Sequence, residues 1–244
     1  MIQKKMVFQK ENGQKIAAMA YLAGTEQNYP TVIFAHGFNS NYRDLQHHGD
    51  GFAQAGINCI FFDFCGGGLN TLSDGTMKQM TVLTEAEDLT EMINQVSQME
   101  CVDETRLFVQ GESQGGFVAA YVAAQIPERI KGLILWYPAF VIPEDSKRRF
   151  ERKDNTCFGI ELCADYNKIA KDIDIFKVIS NYTGPVKLIH GEKDSCVPIC
   201  YSEKAKKVYK DVSFNVIKGA GHGFDGEDSK FAREQSIVFI KEHL

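Results

Sequence analysis

The sequence lacks the features of a membrane protein and of a nucleic-acid-binding protein. Its 244 residues contain no apolar run long enough to cross a bilayer, and the N-terminal segment does not resemble a signal peptide. The net charge is −5 and no long basic block occurs, which argues against a nucleic-acid partner. We therefore expect a soluble protein that has neither a membrane nor a nucleic acid as its partner.

The sequence also lacks the cysteine spacings of metal sites and of disulfide frameworks. The seven cysteines are an odd number, and no Cys-x-x-Cys motif occurs. The spacings from Cys157 to Cys163 and from Cys196 to Cys200 fit no zinc site. Because a chain of this length needs no disulfides to be stable, we expect reduced thiols, a cytoplasmic location and no bound metal.

Positive charge is concentrated in only one place, residues 147–153, which contain two lysines and three arginines. Four acidic residues lie among or beside them, within residues 144–154. This mixture favours a solvated helix face over a site for a polyanion.

Short apolar segments alternate with helical patterns along most of the chain. The chain opens with two alternating segments that predict an antiparallel hairpin with its turn at residues 11–13. Further strands are predicted at residues 31–35, 59–63, 107–110, 133–136, 186–189 and 214–217. Helices are predicted at residues 45–55, 82–99, 116–125, 201–209 and 230–242. This order is typical of an α/β fold with a mostly parallel sheet and helices on both faces.

The alternation is interrupted after Tyr137-Pro138, where about 40 residues precede the next strand. A loop of that length without structure would be unusual in a compact domain. We therefore predict a core built from residues 1–138 and 179–244. Residues 139–178 are predicted to form a small cap subdomain, inserted after the sixth strand.

The strongest motif for chemistry is Gly-Glu-Ser-Gln-Gly at residues 111–115, which follows a predicted strand and precedes a predicted helix. This context is that of a nucleophile elbow, a sharp turn that points a serine hydroxyl out of the fold. We therefore predict that Ser113 is a nucleophile, activated by a base that an acid holds in place.

The acid and the base are predicted from their order along the chain and from their positions after strands. In folds with this elbow the order is serine, acid, histidine. Asp194 follows the strand at residues 186–189, and the glycine-flanked His222 follows the strand at residues 214–217. Both would lie at the carboxyl edge of the sheet, where sites form in such folds.

Two backbone N–H groups are predicted to form the oxyanion hole. One belongs to Gln114, directly after the nucleophile, and the other to Phe38, in the loop after the strand at residues 31–35. His36 lies in the same loop but precedes Ser113 in the chain, so we interpret it as a brace of that loop.

The motifs taken together resemble those of the bacterial cinnamoyl (feruloyl) esterases within the α/β hydrolases. The matching segments are His-Gly-Phe (36–38), Phe-Phe-Asp-Phe (61–64), residues 80–88, Gly-Glu-Ser-Gln-Gly-Gly (111–116), Asp194 with Val197-Pro198, and Gly221-His222. The resemblance implies an α/β-hydrolase fold, a small-molecule ester substrate, no cofactor, and a cap that forms an aromatic pocket.

The resemblance also implies a substrate contact after the segment Tyr137-Pro138-Ala139. Asp145 lies where an aspartate of that family contacts the phenolic hydroxyl, although a surface carboxylate is an equal alternative. From the position of the insertion beside the nucleophile, we predict Phe140, Phe158 and Tyr166 as contacts of the aromatic ring.

Several alternatives stay open at this point. Residues 64–68 lack a histidine that is often found in that loop, and Ser-Gln-Gly-Gly also occurs in acyl-protein thioesterases. A short-chain acyl esterase and an acyl thioesterase are therefore alternatives to a hydroxycinnamate esterase. A non-catalytic ligand-binding relative is less favoured, because all the predicted catalytic positions are present. The oligomeric state is open, with a homodimer as one alternative.

Overall fold

The core of the computed structural model, which describes residues 1–25 and 28–244, is one eight-stranded sheet. Its strands are β1 (Ile2–Gln9), β2 (Lys15–Leu22), β3 (Tyr29–Ala35), β4 (Asn58–Phe62), β5 (Val102–Glu112), β6 (Gly132–Trp136), β9 (Val186–Gly191) and β10 (Val212–Ile217). The spatial order is β1-β2-β4-β3-β5-β6-β9-β10. β1 and β2 form the predicted hairpin, β2 is antiparallel to β4, and the other neighbours are parallel.

Nine α-helices are present in the described residues, and they connect or flank these strands. They are α1 (Tyr42–Leu45), α2 (Gly49–Gln54), α3 (Val82–Ser97), α4 (Ser113–Gln125), α5 (Ile142–Glu151), α6 (Tyr166–Ala170), α7 (Ile175–Ile179), α8 (Cys200–Val208) and α9 (Gly226–Glu242). None of these helices has the length and the apolar character that a bilayer-crossing helix requires. The helix predicted at residues 45–55 is interrupted by a 3₁₀ turn, and α4 begins at Ser113 rather than at residue 116.

Helices cover the sheet on both faces, as the alternation of strands and helices predicts. Side chains of the strands point to opposite faces in turn, so consecutive residues enter different clusters. In β3, Ile33 packs in the cluster that contains α3 and α4, whereas Val32 and Phe34 pack in the cluster that contains α2 and α9. β3 lies between β4 and β5, so the connections on either side of it lead in opposite directions. Such a switch leaves a crevice at the carboxyl ends of the strands.

The segment of residues 139–178 has secondary structure of its own. It contains α5, α6, most of α7 and a small antiparallel pair, β7 (Thr156–Cys157) and β8 (Ile160–Glu161). Its start is bonded to the first residue of α4, because the Ala139 N–H donates to the Ser113 carbonyl oxygen at 2.8 Å. The segment therefore begins at the crevice of the sheet.

The turn from β5 to α4 is packed directly against the backbone at the end of β3, and we predict that Gly115 permits this contact. A Cβ atom at Gly115 would lie 2.2 Å from the Ala35 carbonyl oxygen, which cannot move without shifting β3. Gly115→Ala should lower the free energy of unfolding by about 1–3 kcal/mol or more, measured by denaturant titration. Gly221→Ala is the control, because a Cβ there meets no atom within 4 Å. Equal stability of the two variants would contradict this account.

Candidate active site

Ser113 lies at the sharp junction of β5 and α4, in the crevice of the sheet. It has a φ of 50°, in the left-handed region that non-glycine residues rarely adopt. Its neighbourhood allows this conformation because the flanking glycines leave no side chains in the way. A Cβ at Gly111 would lie 2.3 Å from the Gly115 carbonyl oxygen, and one at Gly37 would lie 3.3 Å from Ser113 Cβ. The tight turn thus fixes Ser113 in a strained backbone conformation and directs its hydroxyl into the crevice.

The structure brings together the three side chains that the sequence analysis predicts as nucleophile, base and acid. His222 Nε2 lies 3.0 Å from Ser113 Oγ, and His222 Nδ1 lies 2.8 Å from Asp194 Oδ2. In this arrangement Nδ1–H donates to the carboxylate, so that Nε2 is free to accept the serine proton. The His222 side chain is 23% exposed, whereas the Asp194 side chain is fully buried.

Four hydrogen-bond donors surround the Asp194 carboxylate. Oδ1 accepts the backbone N–H groups of Cys196 and Val197, at 2.9 and 2.8 Å. Oδ2 lies 3.2 Å from His190 Nε2 as well as beside His222. Burial alone would raise the pKa of Asp194, but the hydrogen bonds from His190 and His222 outweigh it and hold the pKa well below its usual range. Asp194 is therefore an ionised acid at neutral pH.

His190, the fifth residue of β9, is fully buried and is not among the site residues predicted from the sequence. Its Nε2 lies 2.9 Å from the Val197 carbonyl oxygen, and its Nδ1 lies 2.8 Å from Ser202 Oγ. The ring therefore connects the acid to the start of α8. A histidine at the end of a buried strand, four residues before the acid, is the only signal in the sequence, and it does not identify a partner.

Tyr137 and Glu112 form a second contact to the base that the sequence analysis did not predict. The Tyr137 hydroxyl donates to Glu112 Oε2 at 2.6 Å. The Tyr137 ring packs edge-on against His222, with ring centroids 4.8 Å apart, and against Phe224 at 4.6 Å. Burial raises the pKa of Glu112, and the hydrogen bond from Tyr137 opposes this rise. The Tyr137 ring, fixed by Glu112, therefore restricts the position of the His222 ring in addition to Asp194.

The two backbone groups predicted for the oxyanion hole border the nucleophile. Phe38 and Gln114 both line the cavity that contains Ser113. Gln114 is the second residue of α4, so its N–H has no partner within the helix. Within the described residues, the Phe38 N–H donates no hydrogen bond. Both groups are available to a developing oxyanion.

The Gln114 side chain is fixed by hydrogen bonds from both directions. Its Nε2 donates to Glu85 Oε2 at 2.8 Å, and its Oε1 accepts from the Tyr166 hydroxyl at 2.6 Å. Glu85 and Tyr166 are both buried, in α3 and α6 respectively. Burial raises the pKa of Glu85 well above its usual range, and the hydrogen bond from Gln114 opposes the rise. One residue of the nucleophile turn is thus bonded to two different helices.

His36 is placed as the predicted loop brace. Its Nε2 accepts the Phe64 N–H at 3.1 Å, and its Nδ1 lies 2.8 Å from the Gly37 carbonyl oxygen. Burial lowers the pKa of His36, which keeps the imidazole neutral. The ring joins the loop after β3 to the loop after β4 and takes no part in the relay to Ser113.

A cavity of about 340 Å³ opens beside Ser113 and is bounded on one side by residues of the segment 139–178. Asp145, Phe158 and Tyr166, three of the four predicted substrate contacts, line it. The prediction is wrong for Phe140. Its ring is 1% exposed and packs against Phe176, with ring centroids 5.9 Å apart, so it belongs to the core.

The charged residues of this cavity come from α5. Burial raises the pKa of Asp145, while the charges of Arg149 and Arg148 oppose the rise. Arg149 also lines the cavity, although its cluster was predicted to be a solvated face. Its Nε donates to Asn167 Oδ1 at 2.9 Å and its Nη2 to Ser146 Oγ at 3.2 Å. The helix α5 thus directs Asp145 and Arg149 toward the cavity, and its other charged side chains lie toward solvent.

All seven cysteines are free in the structure. In the described part of the chain, histidine, cysteine and carboxylate side chains form no group of three or more that could hold a metal ion.

Comparisons with known proteins identify the family and the fold of the chain. The family model Hydrolase_4, described as serine aminopeptidase S33, matches residues 26–158, more than half of the chain. An uncharacterized 31.7 kDa protein encoded in the traX-finO intergenic region of Escherichia coli is 32% identical over 108 residues. The aligned part is 43% of this chain and 36% of that protein, so the chain spans little more than a third of that relative's length.

Solved structures show a similarity over the whole chain. Est1E from Butyrivibrio proteoclasticus with bound ferulic acid has a TM-score of 0.88 at 24% identity, over 98% of each chain. The complex of DcsB with its substrate analogue has a TM-score of 0.83 at 20% identity, over 100% of each chain. At such identities the similarity establishes a shared fold, and the predicted α/β-hydrolase fold is confirmed.

The low pKa of Asp194 predicts a pH-dependent contribution to stability. The folded-state pKa lies below that of the unfolded chain, which is about 3.9, so the ionised carboxylate stabilises the native state above that pH. This stabilisation is lost as the pH falls. The free energy of unfolding of the wild type should therefore exceed that of Asp194→Asn most clearly above about pH 5. The difference should narrow below about pH 4 in denaturant titrations. A difference that stays constant from pH 7 to pH 3 would contradict the assignment.

Proposed function

Since the chain belongs to the Hydrolase_4 (serine aminopeptidase S33) family and is a serine hydrolase, we propose that it hydrolyses carboxylic esters, with hydroxycinnamate esters as its substrates. The observation that carries this proposal is the relay from Ser113 Oγ through His222 to Asp194, with distances of 3.0 and 2.8 Å, at the edge of a cavity with aromatic walls. Est1E, whose structure contains ferulic acid, supports the choice of acid by its similar fold.

The relay supplies the chemistry of acyl transfer in two steps. Ser113 Oγ attacks the ester carbonyl carbon while its proton passes to His222 Nε2. The oxyanion of the tetrahedral intermediate accepts hydrogen bonds from the N–H groups of Phe38 and Gln114, each worth a few kcal/mol. The bond to the alcohol then breaks, and His222 returns the proton to the leaving oxygen. Water repeats the sequence on the acyl-enzyme and releases the acid and free Ser113.

The cavity beside Gln114 suits the acyl group of such an ester. Its volume, about 340 Å³, lies in the usual range for a small-molecule site. Val141, Ile142 and Phe158 provide apolar surface, and Asp145 provides a single carboxylate that can accept a hydrogen bond from a phenolic hydroxyl. We assign the segment of residues 139–178 as the cap subdomain that forms this pocket over the core of residues 1–138 and 179–244.

Ser113 should be the residue that carries the acyl group. A fluorophosphonate probe should label the wild type at Ser113, identified by peptide mass spectrometry, and should not label Ser113→Ala. Labelling of His222→Ala should be slower by orders of magnitude, because no base then accepts the serine proton. Circular dichroism checks that both variants are folded. Undiminished labelling of folded Ser113→Ala would overturn the assignment.

Asp145 should distinguish hydroxylated from unsubstituted acyl groups. Asp145→Ala should lower kcat/KM for methyl 4-hydroxycinnamate about 5- to 150-fold, since a buried hydroxyl would lose its partner at a cost of about 1–3 kcal/mol. The value for methyl cinnamate should barely change. Glu144→Ala is the matched control, because it removes an exposed acid from the same helix outside the cavity.

The same assay tests the choice of substrate. A loss of the same size on both cinnamates would remove Asp145 from the acyl pocket. Faster hydrolysis of butyrate esters, or of acyl thioesters, than of either cinnamate would replace the proposed acid with a short-chain acyl group or a thioester, while Ser113 and its relay would be unaffected.

A further inference from the structure

A second cavity, of about 350 Å³, opens on the other side of Ser113. It shares Phe38, Ser113, Phe158 and Cys196 with the acyl cavity, so the two meet at the nucleophile. The proposed function uses only the first of them. The second is bounded by Glu112, Tyr137, His222 and the loop at Gly37.

The position of His222 assigns the second cavity to the leaving group. During acylation His222 must give its proton to the oxygen of the departing alcohol, so that oxygen must lie within hydrogen-bond distance of Nε2. Among the described residues, His222 lines the second cavity and not the first. The group attached to the leaving oxygen must therefore extend into the second cavity.

The second cavity has acidic surroundings. Glu112 lines it, and one carboxyl oxygen, Oε2, is bonded to Tyr137. The other carboxyl oxygen, Oε1, lies beside the loop at Gly37. A Cβ atom placed on Gly37 would be 3.7 Å from this oxygen. Ser40 also lines the cavity. Its hydroxyl donates a hydrogen bond to Asp44 Oδ2 at 2.8 Å, so a second carboxyl group lies next to the cavity wall. No lysine or arginine lines this cavity in the described part of the chain, in contrast to the acyl cavity with Arg149.

Aromatic rings form the remaining walls. Phe38, Tyr137 and Phe158 line the cavity, and Phe38 and Phe158 lie with ring centroids 6.1 Å apart. Faces of aromatic rings attract cations, and a carboxylate beside them strengthens the attraction. Phe158 is 76% exposed, so the cavity is open to solvent and its occupant can project outward.

We propose that this cavity is a leaving-group subsite that selects alcohols carrying a positively charged ammonium group, and that Glu112 determines the selection. The proposal rests on the serine esterase mechanism of the proposed function but not on the identity of the acid. A bound cation also favours the ionised form of Glu112, against the effect of burial on its pKa.

The test compares pairs of esters that share one acid and differ only in the charge of the alcohol. Choline and 3,3-dimethylbutyl esters have the same shape, because a carbon replaces the quaternary nitrogen. Both are prepared with 4-hydroxycinnamate and with acetate and assayed at pH 8. The wild type should show a kcat/KM about 3- to 10-fold higher for the choline ester of each acid, as expected for a cation beside aromatic rings and a carboxylate. The ratio should fall as the salt concentration rises.

Glu112→Gln should bring this ratio close to one, because it removes the charge but retains the shape and an acceptor for Tyr137. The measured quantity is the ratio within a pair, so a general loss of activity in the variant does not affect it. Asp145→Ala is the matched control, since it should alter the choice of acid and leave the charge ratio as in the wild type.

The outcomes separate this proposal from the proposed function. A wild-type ratio near one, or a ratio that persists in Glu112→Gln, overturns the leaving-group assignment. A second pair, 2-hydroxyethyl and propyl esters, differs in a hydroxyl group and not in charge. If the wild type discriminates within this pair but not between choline and 3,3-dimethylbutyl esters, the leaving-group assignment is also overturned. If the choline ester of acetate is preferred over its 3,3-dimethylbutyl ester while both hydroxycinnamate esters are hydrolysed poorly, the leaving-group subsite is supported. The same result rejects hydroxycinnamate as the acid.

Discussion

The active site depends on close backbone contact between the β5–α4 turn and the end of β3. The turn can approach β3 only because Gly115 lacks a side chain, and it can close on itself only because Gly111 lacks one. The contact holds Ser113 at a positive φ that it would not adopt alone. The same contact brings the loop at Phe38 beside the nucleophile. A single packing constraint in the core thus sets the position of the nucleophile and of both predicted oxyanion donors, before any substrate is present.

Electrostatics fix the remaining side chains of the relay from two sides. Asp194 is fully buried yet stays ionised, because two histidines and two backbone N–H groups replace the water it has lost. Tyr137 also packs against the His222 ring, with ring centroids 4.8 Å apart. The imidazole is therefore held in the orientation and tautomer that leave Nε2 directed at the serine, and little reorganisation is required when the proton moves.

The sequence predicts those parts of the site that depend on chain order and on strand ends. Ser113, Asp194 and His222 each follow a strand of the sheet, so their common edge could be inferred without any contact being known. Phe140 could not be placed, since an aromatic residue at the start of an insertion fits a pocket wall as well as a core. Glu112 and Tyr137 are 25 residues apart and meet only by packing, so no spacing in the sequence identifies them as partners. His190 lies four residues before the acid, but that separation alone does not identify a contact.

Gln114 shows how the segment of residues 139–178 and the core are joined at the nucleophile turn. Its backbone N–H belongs to the nucleophile turn, while its side chain is bonded to Glu85 in α3 and to Tyr166 in α6. Both partners are buried, so a movement of α6 that broke the bond would leave polar groups without partners, at a cost of about 1–3 kcal/mol. The wall of the proposed acyl cavity is therefore coupled to the position of a predicted oxyanion donor. Substitutions in α6 that reshape the cavity would also disturb catalysis, which restricts how this segment can vary.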